Sequence, residues 1–263
     1  MSELRITFGP MQVNLCQNDC VWENRTASHL RVAELLSKTP PEPGSLIVLP
    51  EMFSTGFSKN LEVTCQTEAR EDEVFLQNLA RTHRSTVLGG VVSRSPSGRG
   101  YNQSVAFDDQ GALLARYSKL QPFMLGGEGQ CHDPGSEVEV FSLGGFRVAP
   151  LICYDLRFPE HARTAMKKGA DLLVYIASWP VKRYHHWLTL LQARAIENLA
   201  YVIGVNRCGS DPDFHYNGRS VVVSPHGHII ADAGEQERVV QASIDPEETR
   251  KWRADFPALR DAR

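Results

Sequence analysis

A chain of 263 residues can bury a large core, and its formal net charge of -3 with 22% charged residues gives no basic excess for nucleic acid. No polybasic cluster marks a membrane surface, and no run approaches the roughly 20 apolar residues of a membrane span. The six cysteines are scattered without a secretory signal or a second Cys/His pair, so free thiols are expected rather than a disulfide framework or a structural metal. The N-terminus lacks the long apolar stretch of a signal peptide, which gives the expectation of a cytoplasmic protein.

In chain order, residues 4–9 form the first predicted strand, ended by Pro10. Asp19 is a plausible helix cap, and Val32, Leu35 and Leu36 follow at helical spacing until Pro40 and Pro41. Residues 46–49 are a short continuous apolar run, as in a buried parallel strand, leading directly into Pro50, Glu51, Met52 and Phe53. A helix over 71–84 and a strand over 86–92 come next. Strands over 101–107 and 112–117 flank the turn signal Asp108-Asp109-Gln110-Gly111, with Lys119 just past the second.

A glycine-rich loop at 126–129 leads through 138–141 to an apolar strand that ends on Cys153. Beyond it are a helix over 159–168, a strand over 172–176 and a helix over 184–199, whose Leu188, Leu191, Ala195 and Leu199 share a face. Strands over 201–205, 220–223 and 239–244 precede a charged tail. Mixed β-α-β units and hairpins imply one α/β domain over 1–263 with mixed sheets.

Three strand ends carry chemistry. Cys153 sits where a buried strand gives way to a polar turn and helix start, a position that presents nucleophiles and favours thiolate; alternatively it is a small buried hydrophobe. Glu51 is either a general base or the partner of a nearby cation, and Lys119 either a fixed positive donor or a surface charge. Taken together they make a unit. A thiol attacking an amide carbonyl needs a base, which suits Glu51. The oxyanion needs donors, which suits Lys119 with the backbone N–H of Tyr154.

Pro50-Glu51-Met52-Phe53, Ser118-Lys119-Leu120 and Ile152-Cys153-Tyr154-Asp155-Leu156-Arg157-Phe158-Pro159-Glu160 resemble, in order, the three signatures of the nitrilase superfamily of carbon–nitrogen hydrolases. That resemblance implies a four-layer αββα sandwich, a Glu-Lys-Cys triad, no cofactor and a homodimer packed through helices near the cysteine. Ala177-Ser178-Trp179-Pro180, His186-Trp187, residues 193–198 and 205–209, and the tail Phe256-Pro257-Ala258 resemble the ω-amidase branch. Its substrates are small half-amides of dicarboxylic acids such as 2-oxoglutaramate.

The same resemblance makes Glu128 a second glutamate that contacts the lysine. Where family members often carry a tyrosine a few residues later, this chain has Gln130-Cys131-His132. A distal carboxylate on the substrate needs donors. Arg157 can serve, or can pair with Asp155 or Glu160; Trp179 and Phe53 are possible pocket walls, and Ser178 a possible donor. Adjacent His185 and His186 point in different directions on a helix and make no metal site. The rival readings are another reaction of the superfamily (nitrile, N-carbamoyl amino-acid or deaminated-glutathione hydrolysis) and a non-catalytic thiol sensor or binding module.

Overall fold

The computed structural model describes residues 8–261. Along β2 (Leu46–Val48) and β3 (Thr86–Arg94), alternate side chains part company. Leu46, Val48 and Leu88 enter a central core, while Ile47, Leu49, Val87 and Val91 enter a second core beneath helices. Both faces of this sheet are therefore apolar, and each must be covered.

One face is covered by α1 (Arg25–Lys38) and α3 (Glu71–His83), which bring Val32, Leu36, Leu76, Leu79 and Ala80 to the second core. This first sheet has the order β14-β1-β2-β3-β4-β5, with β1 at Met11–Gln17, β4 at Gly100–Phe107, β5 at Leu113–Ser118 and β14 at Arg238–Ile244. Its β1, β2 and β3 run parallel, and the remaining pairings are antiparallel.

The second sheet has the order β13-β12-β9-β8-β7-β6, made of β6 (Phe141–Leu143), β7 (Phe146–Ile152), β8 (Leu172–Ala177), β9 (Tyr201–Asn206), β12 (Val221–Val223) and β13 (Ile229–Asp232). Its centre, β7-β8-β9, is parallel. All six residues of β8 are buried, because the first sheet covers one face and α5 (Pro159–Lys167) and α6 (Tyr184–Asn198) cover the other. The layers are thus helices, sheet, sheet, helices. A small hairpin, β10 (Cys208–Ser210) with β11 (His215–Asn217), projects beyond β9.

Several sequence expectations need correction. The strand expected over residues 4–9 falls mostly outside the described residues; Phe8 and Gly9 are exposed and not in a strand, and the first described strand follows Pro10. The cap of α1 is Asn24, whose side chain accepts from the Ala27 N–H at 3.1 Å; Asp19 instead binds Arg31 and Arg207. The glycine-rich segment closes into the one-turn helix α4 (Glu128–Cys131), and a second single turn, α2, spans Leu61–Thr64. The charged tail is largely α7 (Pro246–Asp255), started by the Asp245 side chain accepting from the Glu247 N–H, with proline at its first turn. No helix among the described residues is long and apolar enough to cross a membrane.

Candidate active site

The site collects where strands of both sheets end, the usual place for α/β chemistry. Glu51 lies just beyond β2, Lys119 follows β5, Cys153 follows β7 and Ser178 follows β8. Two of these exits turn through left-handed backbone: Met52 has φ 47° and Cys153 φ 46°, a region that non-glycine residues occupy only when their surroundings hold them there. Cys153 begins a 3₁₀ turn to Arg157, which swings the chain from strand to helix.

Close backbone approach fixes the exits at Glu51 and Lys119. A Cβ on Gly90 would lie 2.6 Å from the Glu51 Cα and from the Met52 nitrogen. A Cβ on Gly135 would lie 2.1 Å from the Ser118 carbonyl oxygen, and the Gly135 N–H donates to the Lys119 carbonyl at 2.8 Å. Only glycine permits either contact.

Lys119, Glu51 and Glu128 are all buried, and the lysine Nζ is 2.8 Å from Glu51 Oε1 and 2.8 Å from Glu128 Oε2. Asn102 of β4 donates to both carboxylates, at 2.7 Å to Glu51 Oε1 and 2.8 Å to Glu128 Oε1. Glu51 Oε2 accepts from the Ser178 N–H at 2.8 Å, and Glu128 Oε2 from the Phe123 N–H at 2.6 Å. Every carboxylate oxygen in the cluster therefore has a donor, as buried charge requires.

Burial opposes the lysine's charge, yet Glu128 and Glu51 hold it well above the ordinary amine value. Burial likewise opposes the charge on Glu128, and Lys119 with Asn102 outweighs it and lowers its pKa. The Cys153 thiol is pushed well up by burial and by the negative charge of Glu51, against the counter-pull of Lys119. The resting sulfur is thus a thiol beside a charged cluster, 4.0 Å from the Ser178 carbonyl.

Cys153 lies on the wall of a pocket whose apolar lining comes from Phe57, Phe123, Trp179, Phe214 and Tyr216. Tyr154, Arg157, Ser178 and Arg183 supply its polar atoms. Trp179 is held by Asn206 at the end of β9, which accepts from its N–H at 2.7 Å and donates to its carbonyl at 3.0 Å. Arg157 pairs with neither Asp155 nor Glu160; its guanidinium lies 4.9 Å from the Trp179 ring centre and 3.0 Å from His186 Nδ1. Arg183 sits 5.4 Å from the Phe123 ring centre, and neither arginine has a carboxylate partner among the described residues.

The structure therefore brings Glu51, Lys119 and Glu128 together and puts Cys153, Tyr154, Arg157, Ser178 and Trp179 on one pocket. Phe53 is the exception. The left-handed turn at Met52 sends its ring away, into the core beneath α1 and α3, where it stacks on His29 at 5.7 Å and Phe75 at 5.9 Å. Phe57, four residues on, takes the place on the pocket wall. Cys131 and His132, where the family's tyrosine is absent, also lie off the pocket lining; the Cys131 sulfur faces His132 Nδ1 at 3.1 Å. Arg219 pairs with Asp232.

Residues 12–254 match the family model of the carbon-nitrogen hydrolases. The chain belongs to this family. This hydrolase is 34% identical over 240 residues to the 2-oxoglutaramate amidase of Bacillus subtilis, covering 91% of this chain and 93% of that protein. It is 35% identical over 255 residues to the omega-amidase YafV of Escherichia coli K12, covering 96% of each. A CN-hydrolase superfamily protein of Xanthomonas campestris, solved with an arsenic adduct in its active site, superposes with a TM-score of 0.90 at 30% identity over 97% of both chains. Nit3 of Saccharomyces cerevisiae, a member of branch 10 of the nitrilase superfamily, does so with a TM-score of 0.84 at 27% identity, again over 97% of both.

Proposed function

We propose that this carbon-nitrogen hydrolase is an amidase for small dicarboxylic acid half-amides such as 2-oxoglutaramate, working through a thioester on Cys153. The observation that carries the reading is the buried Glu51–Lys119–Glu128 cluster beside a pocket that has Cys153 on its wall. The two relatives named as 2-oxoglutaramate amidase and omega-amidase support the substrate class.

In the proposed cycle the Cys153 sulfur attacks the amide carbon while Glu51 Oε takes the thiol proton. That transfer is needed because the resting thiol is held protonated. The carbonyl oxygen becomes an oxyanion held by Lys119 Nζ and the Tyr154 N–H. Glu51 returns the proton to the amide nitrogen, the carbon–nitrogen bond breaks and ammonia leaves. Water then attacks the thioester, giving its proton through Glu51 to the departing sulfur, and the dicarboxylic acid and free thiol result. Glu128 keeps Lys119 charged and fixed throughout.

Arg157 and Arg183 face the same pocket without an acidic partner among the described residues, and suit the distal carboxylate of such a substrate. Glutamine would bring an α-ammonium group toward the same two cations, so it is expected to react poorly. In this reading the chain acts as a homodimer. Ile196 on α6 and Ile229 and Ile230 on β13 are exposed apolar side chains that a second copy could cover.

The deciding experiment is ammonia release from 2-oxoglutaramate, succinamate, glutamine and a simple nitrile. Rapid release from the first two alone is expected. Preference for the nitrile, or turnover of glutamine as fast as the keto acid, would overturn the assignment. Sedimentation at single-chain mass would remove the dimer.

A further inference from the structure

The residues read above as nucleophile and oxyanion partner come from different sheets, and a buried side chain outside the cluster joins them. Asp155, two residues after Cys153, is wholly buried and turned inward. Its Oδ2 accepts from the N–H of Ile152, the residue immediately before Cys153, at 3.0 Å. The same oxygen accepts from the Tyr117 hydroxyl at 2.7 Å, and Oδ1 accepts from the Gln121 N–H at 2.9 Å. Tyr117 and Gln121 lie two residues on either side of Lys119. The Tyr117 oxygen also accepts from the Leu120 N–H at 3.3 Å, so the lysine is bracketed closely.

We propose that Asp155 is a positioning residue that staples the Cys153 turn to the Lys119 turn and so sets the separation of thiol and amine. The proposal rests on the reading of Cys153 and Lys119 given above. Three donors converge on one side chain, and only a carboxylate offers an acceptor to all three. An asparagine turns its own N–H₂ either toward the Gln121 N–H, losing that contact, or toward the Ile152 N–H, releasing the Cys153 turn. Burial pushes the Asp155 carboxyl up to about 7 despite its hydrogen bonds from Tyr117, Ile152 and Gln121 and the charge of Lys119. A merely space-filling position would not need so unfavourable a group.

The test compares wild type, Asp155→Asn and Tyr117→Phe in the full chain, each checked for folding by near-ultraviolet circular dichroism. With 2-oxoglutaramate, kcat is expected to fall about 10- to 100-fold in Asp155→Asn and about 3- to 10-fold in Tyr117→Phe. KM is expected to stay within about threefold in both, because neither residue lines the pocket.

The second readout is the pH midpoint for alkylation of Cys153 by iodoacetamide, followed by peptide mass spectrometry. The charged groups acting on this thiol are Glu51, Lys119 and Glu128, of which Lys119 alone favours thiolate, beside a backbone hydrogen bond at Ser178 that pulls the same way. Loosening the lysine in Tyr117→Phe should therefore raise the midpoint. Folded variants with wild-type kcat and an unmoved midpoint would overturn the staple. If Asp155→Asn does not fold, Tyr117→Phe decides alone by the same two readouts. If the wild type hydrolyses no amide, the functional reading fails, and the alkylation midpoint still tests the staple.

Discussion

The backbone N–H of Ser178 donates to Glu51 Oε2 at 2.8 Å, and the Ser178 hydroxyl reaches the Glu51 carbonyl oxygen at 3.3 Å. Since the Ser178 carbonyl is also the nearest acceptor to the Cys153 sulfur, one residue at the end of β8 touches both the proposed base and the proposed nucleophile. Every group around Glu51 is a donor: Ser178 N–H, Asn102 and Lys119. Glu51→Gln both removes the proton acceptor and sets an amide N–H₂ against one of those donors. We expect kcat to fall about 10³-fold or more, while Cys153, relieved of the Glu51 charge that disfavours thiolate, is alkylated no more slowly than in the wild type. A variant retaining a tenth of wild-type turnover would remove Glu51 from the base role.

Among the described residues, Lys119 is the only cation hydrogen-bonded to two buried carboxylates. Lys119→Met leaves Glu51 and Glu128 facing each other without a counter-charge. A loss of about 3–5 kcal/mol in urea unfolding should accompany the loss of turnover. Adding Glu128→Gln removes one of the two negative charges and should recover part of the stability but none of the activity. If the double variant is no more stable than the single one, the ion cluster is not what the lysine stabilises.

Gly90→Ala tests the close approach behind Glu51. The new methyl group must push back Glu51 and Met52 backbone atoms that it would otherwise meet at 2.6 Å. Destabilisation of about 1–3 kcal/mol is expected, with kcat falling by at least about tenfold while KM changes little. Wild-type kcat in this variant would show that Glu51 tolerates displacement.

Asp155 gives a pH-dependent prediction. Its carboxyl is raised from 3.8 to about 7 in the fold, so folding favours the protonated form. The stability it contributes is fully present below the unfolded carboxylate value and is lost as pH rises through about 7. Asp155→Asn does not titrate. It should therefore gain on the wild type between pH 4 and 8, by up to about 4 kcal/mol from the size of the shift. Urea unfolding at both pH values measures this, and a gap that moves the other way would refute it.

Much of the candidate site was legible because strand ends can be read: apolar runs stop at Glu51 and Cys153, and the turn signal at residues 108–111 places Lys119 just past a hairpin strand. Asn102 was not legible. It lies inside β4 in the polar run Asn102-Gln103-Ser104, where nothing singles it out, and only the tertiary fold shows it bridging two carboxylates. Phe53 misled because adjacency to Glu51 in sequence says nothing about a turn with positive φ at Met52. Arg183 had no local signal, since its guanidinium meets the ring of Phe123, far away in the sequence. Helix α7 did have one, Asp245 followed by Pro246, but its buried face is only Pro246 and Thr249, too little to give an apolar period.

Glu51 and Lys119 follow strands of one sheet, and Cys153 and Ser178 strands of the other, so the atoms proposed to react meet across the sandwich. Turnover is therefore a ruler for the alignment of the two layers. Mild heat or denaturant that lets the layers slip by a fraction of an ångström, without melting either, will silence the enzyme while its circular dichroism is still that of the native protein.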